Sequence, residues 1–191
     1  VDSVAECIRL GKQIDGITAG ERDGKIAEGL HYGNSPFEYS REFIEGKTLV
    51  LTTTNGTKLL HMALHANARA IITGSFVNLS AVCGFLMAQK QNVILSCAAW
   101  KNKINIEDTL FAGAVIDNIG TNFSINCDSS AMALSMYRDA QPDPFTFMKE
   151  KKASHYQRLS GFGLQKDIQY CLSADAANTL VVYEQGKLLA K

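Results

Sequence analysis

Proline is scarce in this chain, with three in 191 residues, tryptophan occurs once, and neither charge sign is in excess, since nineteen basic residues meet nineteen acidic ones. A formal net charge of zero provides no bulk field to draw in nucleic acid or an anionic membrane, so any anion site has to be built locally. No apolar run approaches the roughly 20 residues that a membrane helix needs. The opening Val1-Asp2-Ser3 lacks the basic-then-apolar character of a signal peptide, and the expectation is a cytoplasmic chain. Five widely spaced cysteines form no Cys-x-x-Cys and no Cys/His cluster. Structural zinc is therefore not expected, and the thiols read as reduced core residues.

What is present is 46% hydrophobic sequence, enough for one α/β domain over residues 1–191. "VDSVAECIRLGKQ" reads as a strand end followed by an amphipathic helix, so a segment supplying that strand is expected before Val1. A strand at Ile17 to Ala19 leads into a polar loop holding Glu21, Arg22 and Lys25. "GNSPFEYSREFI" carries a capping box, with Ser35 as N-cap, Pro36 at N1 and Glu38 at N3, which predicts a helix to about Ile44.

Three strand-loop-helix units then follow in series. Leu49 to Leu51, running on through Thr52-Thr53-Thr54, precedes a helix from Thr57, Ala70 to Thr73 precedes a helix from about Asn78, and Val93 to Cys97 precedes a helix opened by Asn105. Such a series predicts a three-layer α/β/α fold with a mostly parallel sheet. A further strand is expected near Phe123 to Asn126 and a helix from Ser130. Beyond them come helices broken by Pro142, Pro144 and Gly161, and a terminal hairpin turning at Gln185-Gly186.

Ligands of such sheets sit beyond the carboxyl ends of the strands. The loops expected there carry Thr53, Thr54, Asn55, Gly56, Thr57 and Lys58, then Ser75 and Asn78, then Glu107 and Asp108. Hydroxyls, free N–H groups and a helix amino terminus suit a phosphate. The acidic pair either holds Mg²⁺ through oxygen ligands or, in the case of Asp108, caps its own helix. His155 and Arg158, three apart on one helical face, form either an anion clamp with a general acid or an ordinary charged surface. His61 and His65 share a face without an evident partner and are read as non-ligands. Gly46-Lys47-Thr48 is no Walker motif, because Arg41 stands where the first glycine is required. No Cys-x5-Arg loop and no Asp-x-Asp pair occurs.

Taken in order, "GNSP" at 33–36, "TTTNGT" at 52–57, "GSFVNLSAV" at 74–82, "IEDTLFAGA" at 106–114 and "SHYQRL" at 154–159 closely resemble the 2-phosphosulfolactate phosphatase family. The resemblance implies an α/β enzyme that uses Mg²⁺ to hydrolyse (R)-2-phospho-3-sulfolactate to 3-sulfolactate and phosphate, a step of coenzyme M biosynthesis. It also implies an upstream strand with an Asp-Val-Leu-Arg-Ala-Thr-like motif. The chain departs from the family pattern at Ala99-Trp100-Lys101-Asn102, where a Gly-Trp-x-Gly-like loop is usual, and at Phe111, where a cysteine is usual. A changed loop leaves another phosphorylated hydroxy acid open as substrate. A catalytically silent anion-binding domain is the other alternative. Asp108 with Glu107 would hold the metal or position water, and Lys58, Arg158 or Lys25 would take the sulfonate. A covalent phosphoenzyme and a homo-oligomer stay open.

Overall fold

A computed structural model describes residues 1–22 and 24–191. Its chain divides into two compact units, Val1–Ala66 and Asn67–Lys191, so the expectation of one domain meets a chain with two centres of packing.

In the first unit, helix α1 (Val4–Ile14) begins at Ser3, whose hydroxyl accepts the Glu6 N–H at 3.1 Å. It ends at Asp15 in the left-handed conformation. Its inner face buries Cys7 and Gly11, and the Cys7 thiol donates to the Val50 carbonyl at 3.0 Å. At Gly11 any side chain would strike Thr18 of the next strand, which explains glycine in a helix interior. Strands β1 (Ile17–Arg22), β2 (Lys25–Ile26) and β3 (Leu49–Thr52) form a sheet of order β2-β1-β3. β1 runs parallel to β3, with Ile17 opposite Leu49 and Gly20 opposite Thr52. A parallel pair puts both carboxyl ends on one edge, where helix α3 (Gly56–His65) begins.

The capping box at Ser35 yields only a short 3₁₀ turn, Pro36–Glu38. Glu38 accepts the N–H of Gly33 at 2.6 Å, so its carboxylate is engaged upstream of the N-cap. A new start at Ser40 then opens α2 (Arg41–Ile44).

The second unit contains strand β4 (Ile72–Thr73) and helices α4 (Leu79–Gln89), α5 (Ile106–Ile119), α6 (Asp128–Asp139), α7 (Pro144–Glu150), α8 (Ser154–Gly161) and α9 (Gln165–Cys171). The hairpin β5 (Val181–Glu184) and β6 (Lys187–Ala190) closes it, and its turn holds Gln185 and Gly186 at positive φ, as the sequence suggested. Phe76, Leu79, Val82, Leu86, Leu110 and Val115 share one apolar core.

The second sheet has the order β4-β5-β6 and is antiparallel throughout. Of the pairings among the described strands, only β1 with β3 is parallel. The fold is mixed α and β, and the expected mostly parallel sheet is reduced to that pair. Residues 93–97 and 123–126 form no ladder. Val93 and Leu95 do pack on the core while Ile94 is 88% exposed, so the alternation of a strand survives without a hydrogen-bonded neighbour. The cysteines also correct an expectation. All are free thiols, but only Cys7 and Cys83 are buried, while Cys97, Cys127 and Cys171 are exposed.

Helices α5 and α6 meet closely at Gly113, where a β-carbon would overlap the Ala133 carbonyl. Gly113→Ala is expected to destabilise the fold by about 2 kcal/mol through overpacking. Gly84→Ala, on an open face of α4, is expected to gain up to about 1 kcal/mol of helix propensity. Urea unfolding of the two variants checks the opposite signs, and a stabilised Gly113→Ala would contradict the close approach.

Candidate functional site

Helix α5 organises the polar groups of the second unit. Asn105, 6% exposed, caps it by accepting the Asp108 N–H at 3.1 Å, and Thr109 donates its hydroxyl to the Asn105 carbonyl at 2.7 Å. Asp108 is therefore not the cap. Its carboxylate turns instead to the preceding loop and accepts the Ala99 N–H at 3.0 Å. Glu107, one residue earlier, points elsewhere, because successive helix positions are about 100° apart. One of its oxygens, Oε1, meets Nδ1 of His155 on α8. The side chains of this pair are only 17% and 22% exposed, His155 and Glu107 respectively, so water screens them far less than a surface pair. The amino-terminal end of α5 adds a favourable field for both carboxylates.

Arg158 follows His155 by nearly one turn of α8. Its guanidinium lies 5.1 Å from the centre of the Trp100 ring, and the His155 ring lies 5.6 Å from the same indole. The acidic pair, His155 and Arg158 thus come together around a tryptophan. Trp100 had drawn attention in the sequence only as part of a family departure. Its loop contains three non-glycine residues at positive φ, Ala99, Lys101 and Asn102, a conformation that composition does not reveal.

Glu107 Oε2 and Arg158 Nε are buried without a hydrogen-bond partner. Among the described residues, no group of three or more His, Cys, Asp or Glu could hold a metal ion. Mg²⁺ does not require one, since it is usually held by one or two carboxylates and completes its shell with water and phosphate oxygens. The unpartnered Glu107 Oε2 fits that role, whereas one Asp108 oxygen is already engaged at Ala99.

Ser75 and Asn78 lie at the start of α4 and serve the chain itself. Asn78, 7% exposed, accepts the Ser75 N–H at 2.9 Å and donates to the Thr179 carbonyl at 2.9 Å. The residues border a cleft of about 260 Å³ with Gly74 and Thr179. The helix amino terminus beside it is occupied by Asp175, which accepts both the N–H of Ser80 at 2.7 Å and its hydroxyl at 2.6 Å. A protein carboxylate already sits where the sequence suggested a phosphate.

In the first unit, Thr53 and Thr57 also serve the helix they open. Thr53 Oγ1 accepts the Thr57 N–H at 3.2 Å, and the Thr57 hydroxyl donates to the Thr53 carbonyl at 3.1 Å. Asn55 is the N-cap residue but makes no side-chain cap bond. Thr54, Gly56 and Lys58 face solvent. Arg22, placed by the sequence in a polar loop, instead reaches across the carboxyl ends of the parallel pair. It donates to Thr52 Oγ1 at 3.2 Å and to the Glu21 carbonyl at 2.7 Å. His61 likewise has a partner, Asp2, at 2.9 Å on the surface.

Comparison with known proteins adds an independent line. The family model described as 2-phosphosulpholactate phosphatase matches residues 1–186. A probable 2-phosphosulfolactate phosphatase of Thermotoga petrophila is 36% identical over 183 residues, covering 95% of this chain and 77% of that protein. The protein of the same name from Thermotoga maritima is 35% identical over 183 residues with the same coverage. That of Caldanaerobacter subterraneus subsp. tengcongensis is 34% identical over 191 residues, covering 97% and 77%.

The bonds from Ser80 hold the Asp175 carboxyl below its ordinary range. A depressed carboxyl stabilises the fold above its unfolded value, near 3.9 for Asp, and that stability is lost as pH falls through the folded value. Asp175→Asn is therefore expected to lower Tm at pH 7, with the difference from wild type shrinking below roughly pH 4. Thermal scans across pH 2.5 to 7 check this, and a difference that stays constant with pH would contradict it.

Proposed function

The chain belongs to the 2-phosphosulfolactate phosphatase family, and we propose on that basis that it hydrolyses the phosphate monoester of (R)-2-phospho-3-sulfolactate, giving 3-sulfolactate and inorganic phosphate. The observation that carries this reading is the Glu107–His155 pair, with Arg158 less than one turn away, in a chain that matches the family over residues 1–186. A carboxylate that engages Nδ1 orients the imidazole and assigns proton transfer to Nε2. In the proposed reaction water attacks phosphorus and the bond from phosphorus to the C2 oxygen breaks. His155 gives its proton to the departing oxygen, and the proton lost by the attacking water is released to solvent and restores the imidazole for the next turnover. Arg158 supplies positive charge to an anionic group of the substrate.

Bound Mg²⁺ would neutralise phosphate oxygens. Glu107 is the residue that would hold it, through the oxygen not facing His155. Within the first unit, taken by itself, the exposed Thr54 and Lys58 and the N-cap residue Asn55 are candidates for binding an anion. No helix among the described residues is long and apolar enough to cross a membrane. The same reading assigns the reaction to coenzyme M biosynthesis, in the cytoplasm, on a small phosphorylated anion and without nucleic acid. The sequence of the Trp100 loop favours a second reading, hydrolysis of a different phosphorylated hydroxy acid.

Phosphate release from a panel of such acids, with Mg²⁺ and with the metal chelated, tests both readings. Release from 2-phosphosulfolactate is expected only with Mg²⁺. His155→Asn and Glu107→Gln are expected to lower kcat by about 100-fold or more, the scale of a lost acid–base group. Faster turnover of another acid would shift the substrate assignment. Absence of release from the whole panel would overturn the phosphatase reading in favour of a silent anion-binding domain.

A further inference from the structure

The loop 99–103 is held in a conformation that its own residues disfavour. Ala99, Lys101 and Asn102 have φ values of 62°, 51° and 59°, in the left-handed region that side chains other than glycine disfavour, asparagine least. Reciprocal hydrogen bonds between Trp100 and Lys103, at 3.0 and 2.9 Å, close the turn around Lys101 and Asn102. They do not reach Ala99. That residue is secured by Asp108, whose carboxylate accepts its N–H at 3.0 Å.

The loop presents one large side chain. Trp100 contacts the His155 ring and lies under the Arg158 guanidinium, and the Lys101 ammonium sits 4.6 Å from its ring centre. An arginine stacked on an indole keeps its charge while losing rotational freedom. The Nε edge of Arg158 is buried without a hydrogen bond, so neither a carboxylate nor a carbonyl fixes this guanidinium through that edge. The indole performs that task.

The geometry points to Trp100 as a positioning residue for Arg158, with Asp108 as the latch of its loop. Asp108 then acts through the backbone of Ala99, by accepting a hydrogen bond, and its charge is secondary. This assignment rests on the phosphatase reading for its kinetic consequences, but not for its effect on anion binding.

Kinetics and binding separate the two. Trp100→Ala is expected to raise KM about tenfold with kcat within about threefold, and Trp100→Phe, which keeps a ring, to restore most of the loss. Asp108→Asn keeps an acceptor for Ala99 and is expected to lose less than Asp108→Ala, which behaves like Trp100→Ala. A fall in kcat at unchanged KM for Trp100→Ala, or equal losses in Asp108→Asn and Asp108→Ala, would overturn the assignment. Trp100 is also the sole tryptophan, so its fluorescence reports the site directly. Inorganic phosphate or 3-sulfolactate should change the emission saturably, with the response lost in Arg158→Ala and weakened more in Asp108→Ala than in Asp108→Asn. If the wild type releases no phosphate yet shows this pattern, the phosphatase reading fails and the positioning role stands. If neither anion alters the emission, the positioning role fails whatever the enzyme hydrolyses.

Discussion

Helix α5 must be apolar enough to form the middle of a core and polar enough at its first turn to hold two carboxylates, and the second unit is arranged around that constraint. Leu110, Ala114 and Val115 have no exposed surface, and Gly113 lets α6 approach at backbone distance. The body of the helix cannot rotate without opening the core. Its first turn is therefore fixed as well, and Glu107 and Asp108 are delivered in two set directions, one toward His155 and one toward the loop at Ala99. The buried Asn105 cap completes the restraint from the polar side.

Half-buried ionisable groups are costly unless each has a partner. Here the cost is divided. Glu107 has His155 and the end of the α5 dipole, Asp108 has a backbone N–H, and Arg158 has the face of Trp100. Glu107 Oε2 and Arg158 Nε, both buried without a hydrogen bond, are one negative and one positive position in the same cluster, an arrangement that suits a cation and an oxyanion bound together. The phosphate-like site expected at α4 has been closed in the opposite manner, by Asp175 from the chain itself.

Features carried by short-range chemistry were legible in the sequence. The Asn105 cap, the Gln185-Gly186 turn, the strand from Ile17 and the alignment of His155 with Arg158 on one helical face all follow from local preference and period. Pairing was not legible, because a strand-like alternation at Val93 to Cys97 says nothing about whether a neighbour supplies the ladder. The polar loops are ambiguous for a related reason. Thr53, Thr57, Ser75 and Asn78 have the right chemistry for an oxyanion, but the same chemistry caps helices and ties loops, and only coordinates separate the two uses. The contacts of Trp100 and Arg22 were not legible because they depend on loop shape and on a cross-strand approach.

Oxyanion binding at His155 is the point on which the proposed site stands. It can be read from the imidazole ¹⁵N resonances of the four histidines, assigned by single substitution, during titration with inorganic phosphate in the presence of Mg²⁺. The account predicts that the His155 nitrogens shift saturably while His31, His61 and His65 stay in place. A stationary His155, with saturable shifts at the histidines of the first unit, would contradict it.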